Sequence, residues 1–155
     1  MIPVEVAVVA LPRRRLQTPP TSCGTAITSY DLLITKRLSN TFYPGYWELP
    51  GGKLEPGEPV DRAASREALE ELGVEIVVQA VLHPIEHRYE HALVRLHPCV
   101  SRLRDPGADI RNIQVAAHRW CPLNDLPWDN FLPANVRVIT SLVRYLDGVG
   151  TAGAG

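Results

Sequence analysis

Glu67, Glu70 and Glu71 fall at i, i+3 and i+4 of a stretch whose composition reads as helix. Turning by about 100° per residue, they share one face within an arc of roughly 100°. Carboxylates so crowded repel each other, and two of them about 4 Å apart cost on the order of 4 kcal/mol at an effective dielectric of 20. A proton, an arginine or a metal must offset that repulsion. Arg66 can offset one charge, which leaves a surplus. Hard oxygen ligands of this kind suit Mg²⁺, with Mn²⁺ as a substitute; such ions keep several waters and bridge to substrate phosphates. Upstream, Gly51 and Gly52 permit a tight turn in which backbone can approach a ligand closely. A charge-rich helix is most often a solvated face laced with salt bridges. That explanation leaves the paired glycines and their spacing unaccounted for.

The elements that must position these residues are legible on either side. Pro59 suits the first position of a helix and Gly73 the residue just past its end, with about four turns between. Val4–Ala10 is a β-branched apolar run that reads as a buried strand. Further strands are expected at 31–37, 75–82, 89–96 and 116–121, the fourth stopping at Pro98 or lying at an edge because proline donates no ladder hydrogen bond. Residues 39–45 read as a loop carrying Phe42, Tyr43 and Pro44, and 104–112 as a polar loop with a Pro106-Gly107 turn. Apolar residues from Val136 to Leu146 recur at helical spacing, predicting a helix over 133–146 followed by a flexible Gly/Ala tail at 148–155. Together these predict a single α/β domain over 1–147, a mixed sheet between helices. Arg13, Arg14 and Arg15 open a polar segment through Ser22 that is either a solvated charge run or a flap over polyphosphate.

The stretch from Gly52 through Val74 resembles the Nudix box, G-x5-E-x7-R-E-U-x-E-E-x-G-U with U bulky and aliphatic. Gly52, Glu58, Arg66, Glu67, Glu70, Glu71, Gly73 and Val74 occupy its fixed positions, and Ala68 is the one undersized aliphatic residue. Trp47-Glu48-Leu49-Pro50 before it and Phe131-Leu132-Pro133-Ala134-Asn135 near the C-terminus extend the similarity to the MutT-like branch. The resemblance implies the Nudix α/β/α sandwich and Mg²⁺-dependent hydrolysis of a nucleoside triphosphate to the monophosphate and pyrophosphate. An oxidised purine nucleotide such as 8-oxo-dGTP leads as substrate, followed by CTP, with ADP-ribose, dinucleoside polyphosphates or 5′-triphosphate RNA as rivals.

Carried over residue by residue, the resemblance implies metal ligands at Gly51, Glu67, Glu70 and Glu71, with Arg66 completing the catalytic set. Glu58 is expected behind them, holding Arg66 or a ligating glutamate in place. Arg37, Glu48, Lys53 and Asn135 are implied to bind substrate. The Asn135 amide offers donor and acceptor to a purine edge, or else it caps the last helix. One position departs from the pattern. Gln114 stands where many relatives have a glutamate that binds metal or acts as base, which leaves the box glutamates, Glu86, Glu90 or His118 as candidate proton acceptors.

Composition narrows the rest. The 155 residues carry a formal net charge of -1, which gives no general pull toward nucleic acid or membrane. No apolar run reaches membrane-spanning length, and no secretory signal pattern opens the chain. Cys23, Cys99 and Cys121 lack metal-ligand spacing and read as reduced thiols of a cytoplasmic protein. The histidines fit no zinc motif, and His87 with Tyr89 sits on a strand that could border the nucleotide. A non-catalytic nucleotide-binding module typically loses box carboxylates, and this chain keeps them. A start at Met1 and a soft tail further favour a chain acting alone, as monomer or homodimer, over a fragment of a larger enzyme.

Overall fold

The computed structural model describes residues 2–15 and 25–154, with side chains as far as residue 149. Strand β1 (Val4–Ala10) is its centre, and the alternation of its side chains explains the layers. Val8 and Ala10 point into one apolar cluster and Ala7 and Val9 into another, on opposite faces of the sheet. The first cluster is closed by the last helix, α3 (Pro133–Ala154), through Val138, Ile139, Leu142 and Leu146. The second is closed by α2 (Val60–Leu72) through Ala63, Ala64, Ala68 and Leu72. Ala68 is fully buried, so its small side chain lets the glutamate-bearing helix lie close against the strands. The result is an α/β/α sandwich.

The middle layer is split into two sheets rather than the expected one. A mixed sheet has the order β5 (Gly51–Lys53), β1, β8 (Leu93–Leu103), β6 (Ile76–Val81), with β7 (Ile85–Arg88) also paired to β8. Only β1 and β8 run parallel in it. An antiparallel sheet gathers β2 (Pro12–Arg14), β4 (Trp47–Glu48) and β9 (Ala117–Pro122) around β3 (Tyr30–Lys36). The chain passes from one sheet to the other at Pro50, whose carbonyl accepts the Val9 N–H at 2.8 Å.

Two strand expectations are corrected. The segment 89–96 is not one strand: Tyr89 to Ala92 form the turn of a hairpin between β7 and β8, and the Tyr89 N–H donates to the Ala92 carbonyl at 2.7 Å. Pro98 does not end β8, which continues to Leu103 with neighbours on both sides. The Pro98 carbonyl accepts from Leu82, beyond the end of β6 and before the start of β7. A strand residue presents N–H and C=O to the same side, so the donor that proline lacks would face that gap between two strands. The ladder loses little.

Arg13 and Arg14 lie on the edge strand β2 and Arg15 directly follows it, and each guanidinium has a partner. Arg13 lies 3.9 Å over the Trp120 ring, Arg14 lies 5.6 Å over Tyr30, and Arg15 donates to Asp31 at 2.9 Å. The rest of that polar segment and Cys23 lie outside the described residues. A short helix, α1 (Ala26–Ser29), precedes β3. Helix α3 passes Leu146 with helical backbone as far as Ala154, into the segment expected as a tail. Cys99 and Cys121 are buried free thiols. No described helix is long and apolar enough to cross a membrane.

Candidate active site

The glycine pair is dictated by what surrounds it. Gly51 holds φ +148°, and a Cβ there would stand 2.1 Å from the Ala7 carbonyl oxygen. A Cβ on Gly52 would stand 2.4 Å from the Glu67 carboxylate. The first glycine therefore lets β5 cross tightly onto β1, and the second leaves a bare backbone surface for an acid from α2 to rest on.

Helix α2 aims its acids through its own boundaries. Gly73 takes the left-handed conformation at φ 67° and its N–H returns to the Leu69 carbonyl at 3.0 Å. The Glu71 carbonyl accepts from Ile113 and Gln114 at 3.0 and 3.1 Å, and the Leu72 carbonyl from Arg111 at 3.0 Å. The polar loop after β8 thus satisfies the orphan carbonyls at the helix end and fixes where Glu71 stands.

Arg66 organises the face. Its Nε and Nη2 donate to the two oxygens of Glu58 at 2.8 and 2.9 Å, a bidentate pair. Its Nη1 donates to Glu67 at 2.9 Å and Glu70 at 3.1 Å, and Nη2 also reaches the Lys53 carbonyl at 3.0 Å. The guanidinium holds the Glu58 carboxyl down at about 2. One cation therefore ties the loop after the glycines to the acidic face of the helix.

Glu71 lies beyond its reach. Its carboxylate accepts from the Gly51 N–H at 3.4 Å and shares a hydrogen bond with Glu67. Burial, then the charges of Glu67 and Glu48, push the Glu71 carboxyl up to about 9. Burial also raises Glu67, against the pull of Arg66. Two acids that cannot both ionise unaided are the donor set that a hard divalent cation relieves. Glu67 and Glu71, with the Gly51 carbonyl, could hold Mg²⁺ or Mn²⁺. No three His, Cys, Asp or Glu side chains among the described residues form a metal-holding group by themselves. Mg²⁺ is commonly held by one or two carboxylates plus water and substrate phosphate, so a pair suffices. Glu70 lies further out, on Arg66, with its side chain 44% exposed.

From the glycines a cavity of about 330 Å³ runs between the sheets toward the start of α3. Arg37, Glu48, Lys53 and Asn135 all line it. Arg37 Nη1 bridges both Glu48 oxygens at 3.0 and 2.9 Å, and its Nε donates to the Phe42 carbonyl at 2.6 Å. Burial raises the Glu48 carboxyl, with Arg37 opposing. Asn135 is 4% exposed, and its Oδ1 accepts the Leu49 N–H at 2.8 Å. That bond ties α3 to the segment entering the glycine turn, at a residue that also lines the cavity. Its backbone N–H bonds the Leu132 carbonyl at 3.0 Å, so Asn135 lies inside the first turn rather than at a cap.

Of the alternative proton acceptors, Glu86 pairs with Arg95 and His118 with Asn112, and neither lines the cavity; nor does Glu90. Gln114 is exposed, its N–H on the Glu71 carbonyl. The sequence reading found only Tyr89 of an aromatic wall. Phe42, Tyr43, Tyr89 and His91 line the cavity, and the Tyr89 hydroxyl accepts the Ala134 N–H at 3.4 Å. Two signals pointed to it: Phe42-Tyr43 in an otherwise polar loop, and Tyr89, expected to border the nucleotide and found in the lining, whereas His87 is not.

Known proteins resemble this chain in sequence and in fold. A putative 8-oxo-dGTP diphosphatase 2 of Mycobacterium tuberculosis is 40% identical over 53 residues, 34% of this chain and 38% of that protein. The chain spans just over a third of the length of the first curated relatives it matches, at 35% and 38%. The CTP pyrophosphohydrolase of Escherichia coli matches more broadly, 33% identical over 72% of this chain and 82% of its own. The crystal structure of a MutT NUDIX hydrolase from Burkholderia pseudomallei superposes with a TM-score of 0.67 at 23% identity, covering 92% of this chain and 99% of that one, which supports the fold. The family model of the NUDIX domain matches residues 18–142. A box whose acids, arginine and glycines meet in one place thus has a family to match: the chain belongs to the NUDIX domain family, that of the Nudix hydrolases.

Proposed function

We propose that the protein is a Mg²⁺-dependent hydrolase that splits a nucleoside triphosphate into the nucleoside monophosphate and pyrophosphate. The observation that carries this reading is the Glu67–Glu71 pair against the Gly51–Gly52 backbone, which itself lines one end of a cavity of about 330 Å³. A divalent cation bound there would neutralise phosphate oxygens and make a coordinated water more acidic. Lys53, exposed beside the glycines, offers a cation to the polyphosphate. Arg66 keeps Glu67 and Glu58 in place, so the acids meet the substrate preorganised. The base would enter the far end of the cavity, where the Asn135 amide NH₂ can donate to a ring carbonyl.

An oxidised purine nucleotide, 8-oxo-dGTP in particular, is the leading substrate. That choice is supported by the donor at Asn135 and by relatives named 8-oxo-dGTP diphosphatase, one of them 25% identical over 79% of this chain. CTP is the second reading, favoured by the breadth of the match to the CTP pyrophosphohydrolase. Purified protein with Mg²⁺ is assayed against 8-oxo-dGTP, the common nucleoside triphosphates, ADP-ribose and dinucleoside polyphosphates, with products identified. Release of monophosphate and pyrophosphate, fastest from 8-oxo-dGTP, is expected. Cleavage of ADP-ribose or a dinucleoside polyphosphate alone would overturn the substrate class, and no cleavage at all would overturn the reading.

A further inference from the structure

A stacked pair of rings from two separate loops spans the mouth of the cavity. Phe42 belongs to the loop between β3 and β4, His91 to the turn between β7 and β8. Their centroids are 4.5 Å apart and their planes 21° from parallel. Both rings line the cavity, yet Phe42 is 68% exposed, so it is not there to fill a core. Tyr89 continues the wall inward, 6.0 Å from His91 and 5.9 Å from Tyr43.

The backbone that presents Phe42 is unusual in two ways. Tyr43, the next residue, is held at φ 53°, a sparsely populated conformation for a bulky side chain. The Phe42 carbonyl is also bound by Arg37 Nε, and the same guanidinium grips Glu48 inside the cavity. The outer ring is therefore coupled through one arginine to a charged group that faces the ligand.

We propose that Phe42 and His91 form an aromatic clamp that parts to take the nucleobase of the substrate as a third stacked layer, and so sets affinity for the base. The proposal rests on the nucleotide reading above. A planar base needs about 3.5 Å on each face, more room than the closed pair leaves. The parting falls on exposed loop residues, so no core contact has to break. Stacking tolerates every base and favours the larger purine surface, which leaves hydrogen-bond selection to Asn135.

The test measures KM and kcat for dGTP, dATP, CTP and UTP in the wild type, Phe42→Ala, His91→Ala and Phe42→Trp. Inorganic tripolyphosphate, which has the anhydride and no base, serves as inhibitor. Each alanine variant is expected to raise nucleotide KM roughly tenfold, more for purines, while kcat stays within about twofold. Phe42→Trp should restore KM, and the inhibition constant of tripolyphosphate should not move. Unchanged KM in an active enzyme overturns the clamp alone. Equal weakening of tripolyphosphate also overturns it, because the rings would then be acting at the phosphate end. Calorimetric binding of dGMP separates the clamp from the activity. A wild type that hydrolyses nothing yet binds dGMP roughly tenfold more tightly than Phe42→Ala would keep the clamp and remove the proposed activity. Absence of dGMP binding to an active wild type would overturn the clamp.

Discussion

The Glu67 carboxylate occupies the space that a side chain on Gly52 would need, 2.4 Å from where its Cβ would stand. The adjacent Gly51 is constrained differently, by the Ala7 backbone at 2.1 Å and by φ +148°. The two glycines should therefore fail in different ways. Gly52→Ala must push aside a carboxylate at the end of a side chain, so it should cut turnover by roughly 10²-fold or more with a small loss of stability. Gly51→Ala must move a strand, and should lower thermal stability by about 2 kcal/mol or more. Turnover and thermal midpoints of the two variants, measured side by side, check the contrast.

Asn135 anchors one segment with its Oδ1, and its NH₂ is the group proposed to meet the base, so its two ends can be tested separately. Asn135→Ala leaves the buried Leu49 N–H without its acceptor and should cost about 1–3 kcal/mol in thermal or denaturant unfolding. Asn135→Asp keeps an acceptor and loses the donor. It should still change the ranking of nucleotide substrates. An unchanged ranking in Asn135→Asp would return Asn135 to a purely structural role.

The Arg66–Glu58 pair gives stability a pH signature. The Glu58 carboxyl sits at about 2 in the folded protein, below its ordinary value, so its contribution is complete above the ordinary carboxylate range. It is lost as pH falls from that range through about 2. Glu58→Gln should therefore melt below the wild type at pH 7, and the gap should close under strongly acid conditions. A gap that stays constant across that titration would contradict the assignment.

Legibility in the sequence followed the range of the interactions. The glycine pair, the helix and its Gly73 stop are local signals, and their residues do meet in space. The split of the strands into two sheets was hidden because β4 and β5 have only two and three residues and part at Pro50. The course of β8 was misread because Pro98 looks like a stop until the gap between β6 and β7 is seen beside it. The aromatic wall joins Phe42 to His91 and Tyr89 across two loops distant in the chain, and no periodicity announces such a meeting. The sequence grouped all three box glutamates on one face. Tertiary packing then separated their environments, burying Glu71 against Gly51 while Arg66 drew Glu70 outward.

The central claim, that Glu67 and Glu71 on the paired glycines hold a divalent cation against a diphosphate, is tested most directly by Glu71→Gln. The substitution keeps shape and replaces a half-buried acid that folding must otherwise hold protonated, so folding should be preserved or slightly strengthened. Turnover of the preferred nucleoside triphosphate under saturating Mg²⁺ should fall by roughly 10³-fold or more, about 4 kcal/mol of barrier. A folded Glu71→Gln protein that still turns over within about tenfold of the wild type would contradict the account.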